Sequence, residues 1–326
     1  MPKTNDLGDE AAGDISSDEL LRLTYDLVRI RSPTLHEEKI SKYYHDILEN
    51  IGLDTYYQEV DGGRKNVIGI LRGEGGGRNL LIGGHLDTIP PETCVEPRIQ
   101  ENVVYGRGAE DMKGALASMA IGAKALIQKG VRLRGDLILA AWVGHEAPHG
   151  KGEGPRAIAE SIKERKLRAD SAVVVEGSML DTVGTVQGGM AIFTIKIKGM
   201  SGGLHTTLVP LRSNPILWGS MAIQDLYRMD SELNGKPWHP LIPQRPSIQL
   251  GIINGGDFYN RLPKECKITG TIRWDPDEDF PMVKERLLSR LNRVEHSIWH
   301  GLDSSVKIDL DLQLVRDSYE VSEEEE

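Results

Sequence analysis

Residues 80–90 read Leu-Leu-Ile-Gly-Gly-His-Leu-Asp-Thr-Ile-Pro, and this stretch decides the fold. Its short apolar run predicts a strand, which two glycines and then Pro90 bring to an end. His85 and Asp87 follow that strand directly. Neutral imidazole is a good zinc ligand, and a nearby carboxylate can hold its other ring nitrogen. The alternative is an ordinary polar turn, and the rest of the chain favours the first interpretation.

Two later apolar runs end in the same way. Residues 137–143 lead into His145 and Glu146, and residues 172–175 lead into Glu176. Strands that are apolar throughout are buried on both faces of a sheet covered by helices. In open α/β sheets, ligands bind outside the carboxyl ends of the strands. We therefore expect two imidazoles and three carboxylates to meet in one crevice.

The spacing between these runs predicts the first domain. Helices are expected over residues 17–30, from a cap at Thr34 to Glu49, and over 112–128 and 154–164. The glycine-rich residues 72–78 lack a phosphate-loop ending, and we expect a hairpin turn there. The alternation of strands and helices predicts an α/β fold with a helix-covered, mainly parallel sheet.

The second half of the chain has a different pattern, in which the strands are apolar on one side. Strands are expected at residues 190–199, 247–253, 264–274 and 306–314, with helices at 214–228 and 280–298. The order β-α-β-β-α-β is that of a ferredoxin-like domain. We therefore predict a first domain over residues 1–186 and a second over 187–315.

Composition excludes several classes of protein. The net charge of -10 argues against nucleic-acid binding, which needs a basic surface. No apolar run is long enough to cross a membrane, and because the acidic start has no apolar signal region, we do not expect export. Cys94 and Cys266 are far apart and without metal or redox spacing, so we expect a cytoplasmic protein.

Another candidate lies between the first two strand ends, in residues 104–114, Val-Tyr-Gly-Arg-Gly-Ala-Glu-Asp-Met-Lys-Gly. Asp111 stands at the start of the predicted helix, where a carboxylate is a common cap. The functional alternative is a carboxylate that bridges two metal ions, as in two-metal hydrolases. Mixed histidine and carboxylate ligands suit zinc, with cobalt or manganese possible.

Residues 84–90 and 105–114 resemble the signatures of the zinc-dependent amidohydrolases that include acetylornithine deacetylase, succinyl-diaminopimelate desuccinylase, aminoacylase and glutamate carboxypeptidase. The resemblance implies two divalent metal ions, most simply zinc. It implies His85 as a ligand of one ion, Asp87 as the residue that orients it, and Asp111 as the bridge. Glu176 matches a later carboxylate ligand of that family.

The resemblance also implies that the second domain is a ferredoxin-like lid, through which these enzymes often form homodimers. Residues 199–205, Gly-Met-Ser-Gly-Gly-Leu-His, resemble the lid motif whose histidine, here His205, reaches a neighbouring active site. Asn260 and Arg273 match lid residues that are expected to touch the substrate.

The sequence departs from that family at two places. Adjacent carboxylates usually follow the third strand, whereas Glu146 stands alone here. Either His145 or His149 then supplies the missing ligand, with Glu153 a weaker candidate. The family chain also returns from the lid to complete the first domain. We expect residues 316–326 to begin that return, and of the two alternatives, a fragment or a shortened form with an incomplete site, we favour the fragment.

Two functions follow as hypotheses. The favoured one is a di-metal hydrolase that cleaves an amide bond of an N-acyl amino acid or short peptide. Glu146 would move the proton from water to the leaving amine, and His205 would stabilise the oxyanion. The alternative is a non-catalytic dimerising protein that keeps the fold without hydrolysis.

Overall fold

The structure, a computed structural model, describes residues 13, 15–90, 95–146, 149–176, 182–199, 203–299 and 307–322. The chain divides into two units, Met1–Asp181 and Thr182–Glu326. None of the described helices is both long enough and apolar enough to cross a membrane.

The first unit is built on a five-stranded sheet. The unit as a whole contains the strands β1 (Asp54–Glu59), β2 (Lys65–Leu71), β3 (Leu80–His85), β4 (Arg98–Gln100), β5 (Val103–Tyr105), β6 (Leu137–Trp142) and β7 (Ser171–Val174). Its helices are α1 (Ser17–Arg29), α2 (Glu38–Asn50), α3 (Gly114–Gln128) and α4 (Glu153–Lys163). The sheet order is β1-β2-β6-β3-β7, with β4 and β5 paired separately. Only β2 runs against the others in this sheet, which confirms a mixed α/β fold with a mostly parallel sheet.

Helices pack on the sheet through regularly spaced apolar residues. In α2, Ile40, Tyr44 and Leu48 recur every four residues and are fully buried. This spacing places them on one face of the helix. The Tyr44 hydroxyl donates to the carbonyl of Leu116 at 2.9 Å and thereby links α2 to α3. Residues of α1, α2 and α3 form one core with β2 and β6.

The predicted hairpin at residues 72–78 is wrong. It would pair β2 with β3, but β6 lies between them and pairs with both. The glycine-rich residues instead contact the chain before β6. Gly77 donates its amide to the Arg134 carbonyl at 3.2 Å. Every residue of β6 is buried in its position between β2 and β3, and burial of apolar surface favours this arrangement.

The predicted burial of residues 172–175 on both faces is also wrong. All four residues of β7 are exposed, whereas every residue of β6 is buried. Within the described sheet β7 is an edge strand that pairs with β3 alone. An apolar composition therefore identified the strand but not its place in the sheet.

The second unit contains a four-stranded antiparallel sheet. The unit as a whole contains the strands β8 (Val186–Gln187), β9 (Gly189–Lys198), β10 (Ser247–Gly255), β11 (Glu265–Trp274), β12 (Lys307–Arg316) and β13 (Tyr319–Glu320). Its helices are α5 (Pro215–Asn234) and α6 (Phe280–Trp299). The sheet order is β10-β11-β9-β12, and β13 pairs with β8. Both helices bury apolar residues against the sheet, for example Trp218 of α5 and Leu287 of α6. The predicted start of the last strand, Val306, lies outside the described residues.

Candidate metal centre

Three parallel strands of the first unit end beside one another. His85 ends β3, His145 and Glu146 follow β6, and Glu176 follows β7. Because β3 pairs with both β6 and β7 in parallel, their carboxyl ends lie at one edge of the sheet. Asp111 comes to the same place from the turn Ala109–Lys113, which precedes α3. The structure thus brings together the side chains that the sequence predicted to meet.

His85 is held in one orientation. It is fully buried, and its Nδ1 lies 2.8 Å from the main-chain carbonyl of Asp87. A carbonyl cannot donate, so Nδ1 carries a proton and donates to it. The other ring nitrogen, Nε2, lies 2.9 Å from Asp111 Oδ1. Nε2 is therefore the nitrogen that is placed to bind a cation, because Nδ1 is already committed.

Asp87 contacts His85 through its main chain, and its carboxylate serves other partners. Asp87 Oδ1 lies 3.9 Å from His85 Nδ1, beyond hydrogen-bonding distance. The buried carboxylate instead accepts from the amide of His145 at 3.0 Å and from that of Glu146 at 2.8 Å. It also accepts from the hydroxyl of Thr34 at 2.8 Å. Asp87 therefore joins the end of β3 to the turn after β6.

His145 lies against both His85 and Glu176. The two imidazole rings stack with centroids 4.5 Å apart and planes 13° apart. His145 Nε2 lies 3.3 Å from Glu176 Oε1. This hydrogen bond raises the pKa of His145 and lowers the pKa of Glu176. Each partner thus favours the charged form of the other.

Asp111 does not cap the helix that follows it. The N-cap of α3 is Lys113, which makes no side-chain cap bond. The Asp111 side chain is 58% exposed and turns towards His85. Burial, followed by the negative charge of Asp111, raises the pKa of Glu146. Two carboxylates that face each other in this way would be stabilised by a cation between them.

The donors fit divalent metal ions. His85, Asp111 and Glu146 form one group whose ligand atoms lie within 4.8 Å of one another, and His85, His145 and Glu176 form another. Only Nε2 of His85 is placed to bind an ion, because Nδ1 donates to the main chain, so the second ion would take the remaining donors. Imidazole with carboxylate is the donor chemistry of zinc and of neighbouring transition metals.

The alternatives left open by the sequence differ in position. His145 lies among the donors, whereas exposed His149 belongs to no donor group of the described residues. Glu153 accepts from the amide of Lys151 at 3.0 Å and belongs to no such group either. A further described group, His45, Asp46 and Glu49, lies on α2, apart from the strand ends.

The predicted lid residues lie in the second unit. His205 Nε2 and Asn260 Nδ2 are 3.1 Å apart, so these two side chains are in contact. His205 Nδ1 also lies 2.8 Å from the Thr207 hydroxyl. Arg273 stands on β11, where its guanidinium donates to Thr271 Oγ1 at 3.4 Å. The Nε of Arg273 is buried without a hydrogen-bond partner among the described residues.

Two residues that the sequence did not identify as part of the site are Thr34 and Glu37. Thr34 was predicted to cap α2, but the N-cap is Glu37, which makes no side-chain cap bond. The Thr34 hydroxyl contacts Asp87 instead, and Glu37 accepts from the amide of Gly144 at 3.2 Å. Their partners lie more than 50 residues away in the chain, so no local signal in the sequence could have identified these contacts.

The chain is similar to known proteins over most of its length. The profile of peptidase family M20/M25/M40 matches residues 81–324. A succinyl-diaminopimelate desuccinylase of Alkalilimnicola ehrlichii is 26% identical over 299 residues, which cover 88% of this chain and 75% of the relative.

Solved structures share the fold at low sequence identity. Aminopeptidase PepT from Bacillus cereus superimposes with a TM-score of 0.73 at 17% identity, covering 95% of this chain and 79% of that one. The YXEP protein of Bacillus subtilis, a dinuclear metal-binding peptidase of the M20 family, has a TM-score of 0.64 at 16% identity. That comparison covers 94% of this chain and 76% of the other.

Proposed function

The chain belongs to peptidase family M20/M25/M40, and from this premise we propose that it is a di-metal hydrolase of an amide bond in an N-acyl amino acid or short peptide. One observation carries the proposal. Nitrogen and oxygen donors from the ends of three strands and from the turn before α3 lie within 4.8 Å in two groups. The desuccinylase and the aminopeptidase named above support an amide substrate of this size.

The metal ions would be held by His85, Asp111 and Glu176, with Asp111 as the bridge. His145 takes the place of the second carboxylate that is absent beside Glu146. The dinuclear metal site of the YXEP protein supports two ions, for which zinc is our first choice and cobalt or manganese the alternatives. Such ions, when bound, polarise a scissile carbonyl and acidify water.

Glu146 belongs to the donor group with His85 and Asp111, but we assign it the role of general base rather than of metal ligand: it would take a proton from the attacking water and pass it to the leaving amine. A base works best when its pKa lies near the operating pH. The burial that raises the pKa of Glu146 acts in this direction. Asp87 holds the backbone amide of this residue at 2.8 Å.

The second unit would serve as the lid, with a ferredoxin-like fold over residues 187–315. His205 would stabilise the oxyanion from this lid, and Asn260 and Arg273 would bind the substrate. The contact between His205 and Asn260 supports their joint action. We further propose that the chain is a homodimer through the lid and that residues 1–186 are the catalytic domain.

Metal content tests the proposal. The full chain is stripped of metal, titrated with Zn²⁺ or Co²⁺ and compared with His85→Ala and Asp111→Ala. We expect about two ions in the wild type and a loss of one or both in the variants. His45→Ala is the matched control, because it removes a histidine that belongs to the separate donor group on α2 and not to the candidate metal centre. If wild type and both site variants hold equally little metal, the proposal is wrong.

Turnover tests the reaction class. The metal-loaded chain is assayed against N-acetyl, N-succinyl and N-formyl amino acids and against dipeptides. Hydrolysis of at least one class, lost in Asp111→Ala and kept in His45→Ala, is the expected result. A chain that binds two ions but hydrolyses none of these amides would instead favour a non-catalytic binding protein.

A further inference from the structure

The segment between α1 and α2, residues 30–37, follows the chain beyond β3 closely, and we call it the connecting segment. The hydroxyl of Ser32 donates to the Leu86 carbonyl at 2.9 Å. The amide of Thr88 donates to the Ser32 carbonyl at 2.9 Å, and the amide of Thr34 donates to the Thr88 carbonyl at 3.2 Å. The connecting segment is therefore hydrogen-bonded to the residues on either side of Asp87, Leu86 and Thr88.

The hydroxyl of Thr34 bridges two strand ends. It is buried and lies 2.8 Å from Asp87 Oδ2 and 3.2 Å from the main-chain carbonyl of Glu146. A hydroxyl has only one hydrogen to donate. The carboxylate of Asp87 is the closer and the stronger acceptor, so the hydroxyl donates to it. Thr34 thereby fixes the carboxylate that in turn holds the turn after β6.

Glu37 holds the same turn from another side. Its carboxylate is 1% exposed and accepts from the Gly144 amide at 3.2 Å and from Arg64 Nη1 at 3.3 Å. Asp87 accepts from the next two amides. Three successive amides, those of residues 144–146, thus donate to two buried carboxylates.

Gly144 has a backbone conformation and close neighbours that favour glycine at this position. Its φ of +72° is a left-handed conformation that glycine adopts without strain. A Cβ at this position would lie 2.7 Å from Glu153 Oε2 and 2.9 Å from Arg64 Nη1. The three amide hydrogen bonds therefore restrain the backbone from Gly144 to Glu146, and its path sets the direction of the side chains of His145 and Glu146.

We propose that Thr34 and Glu37 are positioning residues, which fix the backbone of residues 144–146 and thereby direct His145 and Glu146 towards His85. Outer groups that orient metal ligands typically change metal affinity or activity by about 10–100-fold when they are removed. The consequence for catalysis rests on the proposed function, whereas the restraint on the backbone does not.

Backbone restraint is tested first, by amide hydrogen exchange in the metal-free full chain. Thr34→Val removes the hydroxyl and keeps the shape, and Thr34→Ser keeps the hydroxyl. We expect roughly tenfold faster exchange of the amides of residues 144–146 in Thr34→Val and near-normal exchange in Thr34→Ser. Thr55→Val is the matched control, because its hydroxyl bonds locally to the Leu53 carbonyl. Equal exchange in Thr34→Val and wild type would overturn the inference.

Metal affinity and kinetics form the second test. Co²⁺ affinity is measured by competition with a chelator, and kcat and KM on the amide that is hydrolysed best. Thr34→Val should lose about 10–100-fold in Co²⁺ affinity or kcat, with KM within about threefold, and Thr34→Ser should stay within threefold of wild type. A role in stability alone would lower the melting temperature and leave both quantities unchanged. If Thr34→Ser is as impaired as Thr34→Val, the hydroxyl is not the cause.

Glu37 provides an independent pair in case Thr34→Val does not fold. Glu37→Gln keeps an oxygen acceptor for the Gly144 amide, and Glu37→Met keeps the length without the acceptor. Faster exchange at residues 144–146 in Glu37→Met but not in Glu37→Gln supports the inference, and equal exchange contradicts it. A wild-type chain without Co²⁺ binding or turnover would refute the proposed function instead, and the exchange results would still decide on the positioning residues.

Discussion

At the scale of single residues, Glu146 separates metal binding from proton transfer. It is the first carboxylate after β6, and burial together with the charge of Asp111 raises its pKa. Glu146→Gln should lower kcat by about 10²–10⁴-fold, the usual contribution of a general base, while most of the metal is retained. Metal analysis and steady-state kinetics on the same preparation check this.

The control for that variant is Glu160→Gln, an exposed glutamate on α4. It makes the same chemical change away from the candidate metal centre and should leave kcat unaltered. If Glu146→Gln keeps wild-type turnover, another group moves the proton.

The buried carboxylate of Glu37 predicts a pH dependence of stability. Burial is the largest cause that raises its pKa, and Arg64 opposes it. The folded chain then holds this proton more tightly than the unfolded chain, so the contribution of Glu37 to stability falls as pH rises from about 4.5 through the raised pKa. Glu37→Gln removes this titration.

The free energy of unfolding of Glu37→Gln relative to wild type should therefore increase as pH rises from 4.5 to 7. Urea denaturation of the metal-free chains at several pH values measures the difference, in which the titration of other carboxylates cancels. A difference that is constant with pH, or that falls, would contradict the prediction.

At the scale of elements, Gly83 of β3 allows close packing against β6. A Cβ at Gly83 would overlap Cζ3 of Trp142 and lie 2.9 Å from the Ala140 carbonyl oxygen. Backbone of a central strand cannot move aside easily. Gly83→Ala should therefore lower the free energy of unfolding by about 1–3 kcal/mol, as overpacking typically does.

The matched control is Gly122→Ala in α3, where a Cβ would meet nothing within 4 Å. Replacing this helical glycine by alanine should raise the free energy of unfolding by up to about 1 kcal/mol. Urea midpoints of the two variants should shift in opposite directions. If both midpoints shift in the same direction, the prediction that a Cβ at Gly83 overpacks the strand is wrong.

At the scale of the whole molecule, the proposed homodimer gives a test of the lid. Strand β10 is an edge of the second sheet, and its Leu250, Ile252 and Ile253 are exposed. Exposed apolar edges pair readily with other chains, and a lysine on the edge prevents this. Ile252→Lys should yield a monomer in sedimentation experiments and retain metal. Gln313→Lys on the opposite edge strand, β12, should stay dimeric, and a monomeric wild type would refute the dimer.

The sequence was sufficient for the helices and most of the longer strands, though not for β1, and for most of the candidate site. Apolar runs identified β3, β6 and β7, and the residues after them include every member of the two donor groups except Asp111. Asp111 was found through its motif instead. Such features are local, because strand and helix periodicity and the polar residue at a strand end are written in consecutive positions.

Only the tertiary structure decided which elements became neighbours. It placed β6 between β2 and β3, left β7 exposed at an edge, and turned Thr34 from an expected helix cap to a partner of Asp87. These outcomes depend on contacts between residues far apart in sequence, where burial of apolar surface and pairing of buried polar groups outweigh local preference. For this reason the chain revealed the donors of its metal centre but not the residues that hold them in place.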